Sequence, residues 1–173
     1  MENIIRNSKT ITRLELERLY SIYADNFPGN KQEMNPWIDE IITEPDVLYS
    51  MFYDNDKLAG YIIIYLRETE NYIREFEIAK EYQNNGTTFK DMIKETIHYT
   101  NTDNMFTGII LPNNEEAKGV FRRIGAIAVD GKYSVPADRL IKLLDKSSRE
   151  DFAKQKPNVE RARQIIDKRF NKK

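Results

Sequence analysis

The sequence predicts a mixed α/β domain in which a sheet is covered by helices. Three observations carry that reading. Two helical stripes open the chain. Three runs rich in Val, Ile, Tyr and Phe come next as an antiparallel front half. Beyond Gly86 the apolar period turns helical and the pattern becomes helix, strand, helix, strand.

The first helix is announced by Thr12 and Glu15, which have capping-box spacing, with Ile11 placed to staple onto Leu16. Leu16, Leu19, Tyr20, Tyr23 and Phe27 fall on one helical face, and Pro28-Gly29 ends the run. A short second helix, Pro36 to Ile42, has proline in its first turn, carries Trp37 and stops before Pro45. Val47 to Tyr53 and Leu58 to Leu66 then read as a hairpin about the polar turn Asp54 to Lys57. The third strand, Tyr72 to Ala79, interleaves Ile73, Phe76 and Ile78 with Arg74, Glu75 and Glu77; the odd spacing of Ile73 and Phe76 breaks the alternation and predicts a β-bulge between them.

Asn85-Gly86 alone would suggest a tight turn between strands, but Phe89, Met92, Ile93 and Ile97 recur at helical spacing and outweigh it. Met105 to Leu111 reads as a strand, Pro112 to Asn114 as turn and cap, and Ala117, Val120, Phe121 and Ile124 as a helical stripe closed by Gly125. A strand begins at Ala126. Beyond Tyr133 the pattern of Leu140 to Leu144 fits strand or helix, and a last helix would bury Val159, Ala162, Ile166 and Phe170.

Composition narrows the chemistry. The 173 residues include one histidine and no cysteine, which removes disulfides, thiolate metal sites and a cysteine nucleophile. His98 falls one position past the Ile97 stripe, where an exposed helix histidine is expected. The longest apolar run, Tyr61 to Leu66, is far shorter than the ~20 residues of a membrane span, and the N-terminus lacks the apolar core of a signal peptide, so a cytoplasmic protein is expected. A net charge of −1 conceals asymmetry: residues 138–173 carry twelve basic and six acidic side chains, net +6, leaving −7 for the rest. The favoured reading of that tail is a solvated helix, with nucleic-acid contact the weaker alternative.

The informative junction is Tyr82-Gln83-Asn84-Asn85-Gly86-Thr87-Thr88, between a strand and a helix. Unpaired NH groups at a helix start carry the positive end of the dipole and can hold a phosphate. No Walker sequence or GxGxxG is present.

At this junction the chain resembles a known family. Tyr72 through Thr88 looks like motif A of the GNAT superfamily of N-acetyltransferases, in which an apolar residue closes a bulged strand five positions before Q/R-x-x-G-x-G/A. Ile78, Gln83 and Gly86 match. Asn114, Ala117, Phe121 and Gly125 match a second pattern, N-x-x-A, three residues, aromatic, three residues, G-F, with Ala126 replacing the final Phe. The resemblance covers about two thirds of the chain. It implies a mostly antiparallel sheet with a splayed parallel pair, and one domain over 1–145 with a basic helical extension over 146–173.

The resemblance further implies direct transfer of an acetyl group from acetyl-CoA, as cosubstrate and without a metal, to a primary amine on a small molecule or peptide; a homodimer stays open. The cofactor's pyrophosphate would rest on Gln83, Asn84, Asn85, Gly86, Thr87 and Thr88, its arm near Ile78, Asn114 and Phe121. Asn84 and Thr88 stand where the family prefers glycine or alanine. Tyr72 occupies the register of a common catalytic glutamate, and Phe121 that of a general-acid tyrosine, so the candidates for proton handling are Glu70, Tyr72, Glu75 and Glu77, with Tyr82 and Tyr133 as further hydroxyls. Those two departures leave a second reading, an acyl-CoA-binding module without turnover.

Overall fold

Thr12 Oγ1 accepts from the Glu15 NH at 3.2 Å and the Glu15 carboxylate accepts from the Thr12 NH at 3.0 Å, so the expected capping box opens α1, Arg13–Asn26. The structure is a computed structural model of the chain and describes residues 1–84 and 89–145. It divides into two compact units, Met1–Asn101 and Thr102–Lys173.

In the first unit a strand without a clear sequence signal, β1 (Glu2–Asn7), precedes α1. It is an edge strand with partial burial along its length, so its alternation is weak; Ile4 and Ile5 stand side by side. The helix α1 buries Leu16, Leu19 and Ile22, leaving Tyr20 and Tyr23 half-buried. Next, α2 (Met34–Ile42) begins two residues before Pro36 and keeps that proline in its first turn, where no NH is required. It buries Trp37, Ile38 and Ile41.

The strands β2 (Val47–Asp54), β3 (Lys57–Leu66) and β4 (Glu70–Ile78) complete an antiparallel sheet in the order β1-β2-β3-β4. Leu16, Leu19, Trp37, Ile38, Ile41, Tyr49, Met51, Tyr61 and Ile63 form the core on one face. The other face is covered by α3 (Phe89–Thr96), which buries Phe89, Met92, Ile93 and Thr96 and runs into a single 3-10 turn ending at Tyr99. On this side the Phe76 and Phe89 rings approach to 4.3 Å between centroids, and the Thr96 and Ser50 hydroxyls are hydrogen-bonded at 2.7 Å. Because both faces are covered, β3 is buried almost throughout and reads as an apolar run instead of alternating.

The bulge predicted from Ile73 and Phe76 is present. Ile63 pairs with Glu75 and Ile64 with Ile73, leaving Arg74 as the extra residue. Ile73 and Phe76 thereby share the α3 face though three positions apart.

The second unit contains β5 (Met105–Ile109), α4 (Glu115–Arg123), β6 (Ile127–Val129), β7 (Lys132–Val135) and α5 (Ala137–Asp145), its strands antiparallel in the order β5-β7-β6. Asn114 caps α4 through Ala117 NH at 3.1 Å, and Gly125 at φ 81° comes just after its C-terminus. Asp130-Gly131, at φ 52° and 79°, makes the tight β6–β7 turn, and this Asp-Gly pair is a hairpin signal in the sequence itself. The ambiguous Leu140–Leu144 stretch is helical. The extension over 146–173 lies outside the described residues. Strands with flanking helices thus give the mixed α/β class expected.

One contact in the first unit is testable. A Cβ on Gly60 would lie 2.8 Å from the Glu77 carbonyl and 3.1 Å from Met92 Cε, and the carbonyl cannot rotate away. Gly60→Ala is expected to lower unfolding stability in urea by about 1–3 kcal/mol. Gly29→Ala, with nothing within 4 Å, serves as the unaffected control.

Candidate functional site on β4

The bulge decides where the acidic side chains of β4 point. Glu75 pairs with Ile63 and Glu77 with Tyr61, so both share the face covered by α1 and α2. A carboxylate on that face needs donors, and two elements supply them to Glu75. Trp37 Nε1, from α2, donates to Oε2 at 3.2 Å, and the Tyr61 hydroxyl, from β3, donates to Oε1 at 2.7 Å. Burial raises the Glu75 pKa above the ordinary carboxylate range. The Tyr61 hydrogen bond, the Arg74 charge and the Trp37 NH oppose the rise without cancelling it, and Glu40 adds to it. Burial also drives the Tyr61 hydroxyl well above its usual range, reinforced by the charges of Glu75 and Glu77, so that it remains a donor.

Glu77 is held from α1: Asn26 Nδ2 donates to its Oε2 at 2.7 Å and also to the Ile78 carbonyl at 3.0 Å. Gln83 Nε2 donates to the same carbonyl at 2.8 Å and lies 3.4 Å from Asn26 Oδ1. The end of β4, the end of α1 and the start of the Gln83 turn are therefore one hydrogen-bonded group. Gln83 is extended at φ −66°, ψ 136°, and Asn84 after it is left-handed at φ 68°. Asparagine tolerates that left-handed position, where the family pattern prefers glycine or alanine. Asn85, Gly86, Thr87 and Thr88 lie outside the described residues.

The other sequence candidates are placed differently. Glu70 forms an ion pair with Arg67 at 3.1 Å, and Arg67 also pairs with Glu44 at 2.7 Å. The Arg67 guanidinium lies 4.7 Å from the Tyr72 ring centroid, and Tyr72 stacks on Tyr65. Glu70 and Tyr72 thus belong to a cluster at the β3–β4 turn, separate from the hydrogen-bonded group around Glu75 and Glu77. Tyr82 donates to Asp54 at 3.0 Å, and His98 is exposed. In the second unit Asn114 spends its amide oxygen on the α4 cap, while Phe121 is buried with its ring 5.6 Å from that of Tyr133.

Asn26 and Tyr61 carry no signal of a site in the sequence, and Trp37 is only located on its helix. Nothing in one dimension pairs Tyr61 with Glu75; the register past the bulge does. The usable signal is Trp37, the chain's single tryptophan.

A family model described as the acetyltransferase (GNAT) family matches residues 16–126, and the chain belongs to that family. Its fold is shared by solved structures of low sequence identity. A Desulfovibrio desulfuricans protein of the GNAT family superposes with a TM-score of 0.63 at 11% identity, covering 79% of this chain and 99% of its own. The PaiA N-acetyltransferase of Thermoplasma acidophilum, in complex with coenzyme A, gives 0.56 at 14%, covering 78% and 97%. The spermidine/spermine N-acetyltransferase SpeG of Vibrio cholerae gives 0.57 at 12%, covering 81% and 96%. No curated protein matches the sequence.

The Glu75 environment makes a stability prediction whose sign is fixed by the raised pKa. A carboxyl that holds its proton more tightly when folded contributes stability that is complete below its unfolded pKa. That contribution is lost as pH climbs through the folded value. Urea denaturation of Glu75→Gln should therefore show its stability, relative to the parent protein, increasing as pH goes from 4 to 8. A difference that stays flat with pH would mean that Glu75 titrates as an ordinary surface acid.

Proposed function

We propose that the protein transfers the acetyl group of acetyl-CoA directly to a primary amine, with Glu75 receiving the amine's proton. The observation that carries this reading is the Glu75 carboxylate, held on β4 by Trp37 and Tyr61 with its proton affinity raised. An alkylammonium of pKa ~10.4 is neutral in only about one molecule in a thousand at pH 7, so a positioned acceptor is required. The neutral nitrogen attacks the thioester carbonyl carbon. A C–N bond forms and the C–S bond breaks with its electron pair going to sulfur; Glu75 has taken the ammonium proton beforehand, and the second proton, shed by nitrogen as the amide forms, goes to solvent. The thiolate, with a conjugate acid of pKa ~8.5, leaves without a dedicated acid and takes its proton from solvent. With no cysteine in the chain, no acetyl-cysteine intermediate intervenes.

Gln83 to Thr88 and Ile78 are the proposed contacts for acetyl-CoA. Two features support them: the left-handed Asn84 that follows Gln83, and the coenzyme A complex of the similar Thermoplasma protein. A cationic acceptor agrees with the net −7 of residues 1–137 and with the activity named for the similar Vibrio protein. Of the acidic side chains near α2, Glu40 and Glu44 are committed to Arg74 and Arg67. Glu33 and Asp39 form no ion pair among the described residues and are the better candidates to attract the amine. A second reading, an acyl-CoA-binding module, is favoured by one observation: a buried Phe121 stands where the family pattern has an acid.

Thermal unfolding with acetyl-CoA, with CoA and without either tests both readings. A ligand present at a hundred times its Kd adds about 2.7 kcal/mol, or about 5–10 °C at this chain length. No shift at millimolar ligand would overturn both. Thiol release with a panel of polyamines and peptides then separates them. Transfer predicts release that falls by about 10²-fold or more in Glu75→Gln, and binding alone predicts a thermal shift with no release.

A further inference from the structure

We infer that Trp37 is a positioning residue: with Tyr61 it holds the Glu75 carboxylate in one orientation and ties it to the connection between α1 and α2. The inference deepens the proposed proton-transfer role of Glu75 and rests on it for its functional consequence, though not for its geometry.

Trp37 is 1% exposed and Tyr61 fully buried. An indole NH has one donor and no acceptor capacity, so a buried tryptophan must find an oxygen, and the one it finds is Glu75 Oε2. Tyr61 takes Oε1 at the short distance of a charge-assisted bond. Two donors from two elements on two different oxygens fix rotation of the carboxylate, while each oxygen keeps a further lone pair to receive a proton.

The Trp37 ring is itself held from α1. It stacks on Tyr23 with centroids 5.7 Å apart and rings tilted by 22°, and meets Tyr20 edgewise at 5.6 Å. Those two tyrosines clasp one residue of the connection: the Tyr20 hydroxyl donates to the Gln32 carbonyl and the Gln32 NH donates to the Tyr23 hydroxyl, both at 2.8 Å. A path of rings thus runs from Gln32 to Glu75. The connection is thereby linked to the carboxylate through Trp37.

The other ionisable groups around Glu75 are Arg74 and Glu77 on its own strand, Tyr61 on β3, Glu40 on α2 and, beyond Tyr61, Tyr23 on α1.

The test uses the full chain labelled with 15N and with 13C at the glutamate carboxyl. As there is one tryptophan, the indole NH gives a single resonance. It is expected to move with pH with the same midpoint as the Glu75 carboxyl carbon, which is assigned by its loss in Glu75→Gln. In that variant the indole resonance should lose this transition. Trp37→Phe and Tyr61→Phe each remove a donor to the ionised form, so each should raise the Glu75 midpoint by about one unit. The acidic limb of kcat/KM should move with it, and kcat on the high-pH plateau should fall below that of the parent. An indole resonance whose midpoint differs from that of Glu75 overturns the inference even if Trp37→Phe does not fold. A Glu75 midpoint unmoved in folded Trp37→Phe, with only a lower Tm, overturns it as well. Coincident and shifted midpoints without acetyl transfer to any amine would keep the positioning role and sink the proton-acceptor reading instead.

Discussion

The extra residue at Arg74 governs how the first unit is assembled. Side chains on a strand alternate between faces, so Ile73 and Phe76 can both reach α3 only if one position is absorbed without a partner. Before the bulge Tyr72 lies beside Tyr65 on the α1–α2 face; after it, Glu75 and Glu77 lie opposite Ile63 and Tyr61 on that face. Had the strand run without interruption, the same acidic side chains would point into the Phe89 and Met92 side, where the covering helix offers apolar contacts. Arg74 itself finds Glu40 on α2 at 3.2 Å.

Turning two carboxylates beneath a pair of helices is costly unless donors are waiting, because an unpaired buried charge is among the most destabilising features a core can hold. Each charge-assisted hydrogen bond offsets about 1.5–3 kcal/mol of that cost. Trp37, Tyr61 and Asn26 come from three different elements, so the arrangement exists only when α1, α2, β3 and β4 are all in place. Burial exceeds what the donors return at Glu75, and its proton affinity therefore stays high. A site that can accept a proton is the residue of incomplete compensation.

Much of this is legible in one dimension, for identifiable reasons. The capping box at Thr12, the stripe of α3 and the break in alternation between Ile73 and Phe76 are local patterns, and local patterns survive folding. Strand β1 is not legible in that way, since an edge strand has one partner and weak burial to shape its composition. Ile22 lies off the stripe that Tyr20 and Tyr23 suggest for α1, yet it is buried and they are only half so. At the site the carboxylates can be enumerated from the sequence but not aimed. Whether Glu75 or Glu70 is poised depends on pairing register and on Arg67, which draws Glu70 and Tyr72 into its own cluster.

The hydroxyl pair between Ser50 and Thr96 bears on how sharply α3 is set. Apolar faces of a helix and a sheet tolerate sliding, since one methyl group substitutes readily for another. Ser50 and Thr96 do not share that tolerance. Both are fully buried, and Ser50 also receives Asn3 from β1 at 2.9 Å, so rotating α3 by a fraction of a turn would strand a polar atom in a dry layer. The pair works as an indexing pin: it adds little to the depth of the energy well but removes its neighbours. The helix beyond the proposed phosphate-binding turn is thereby given a single angular setting.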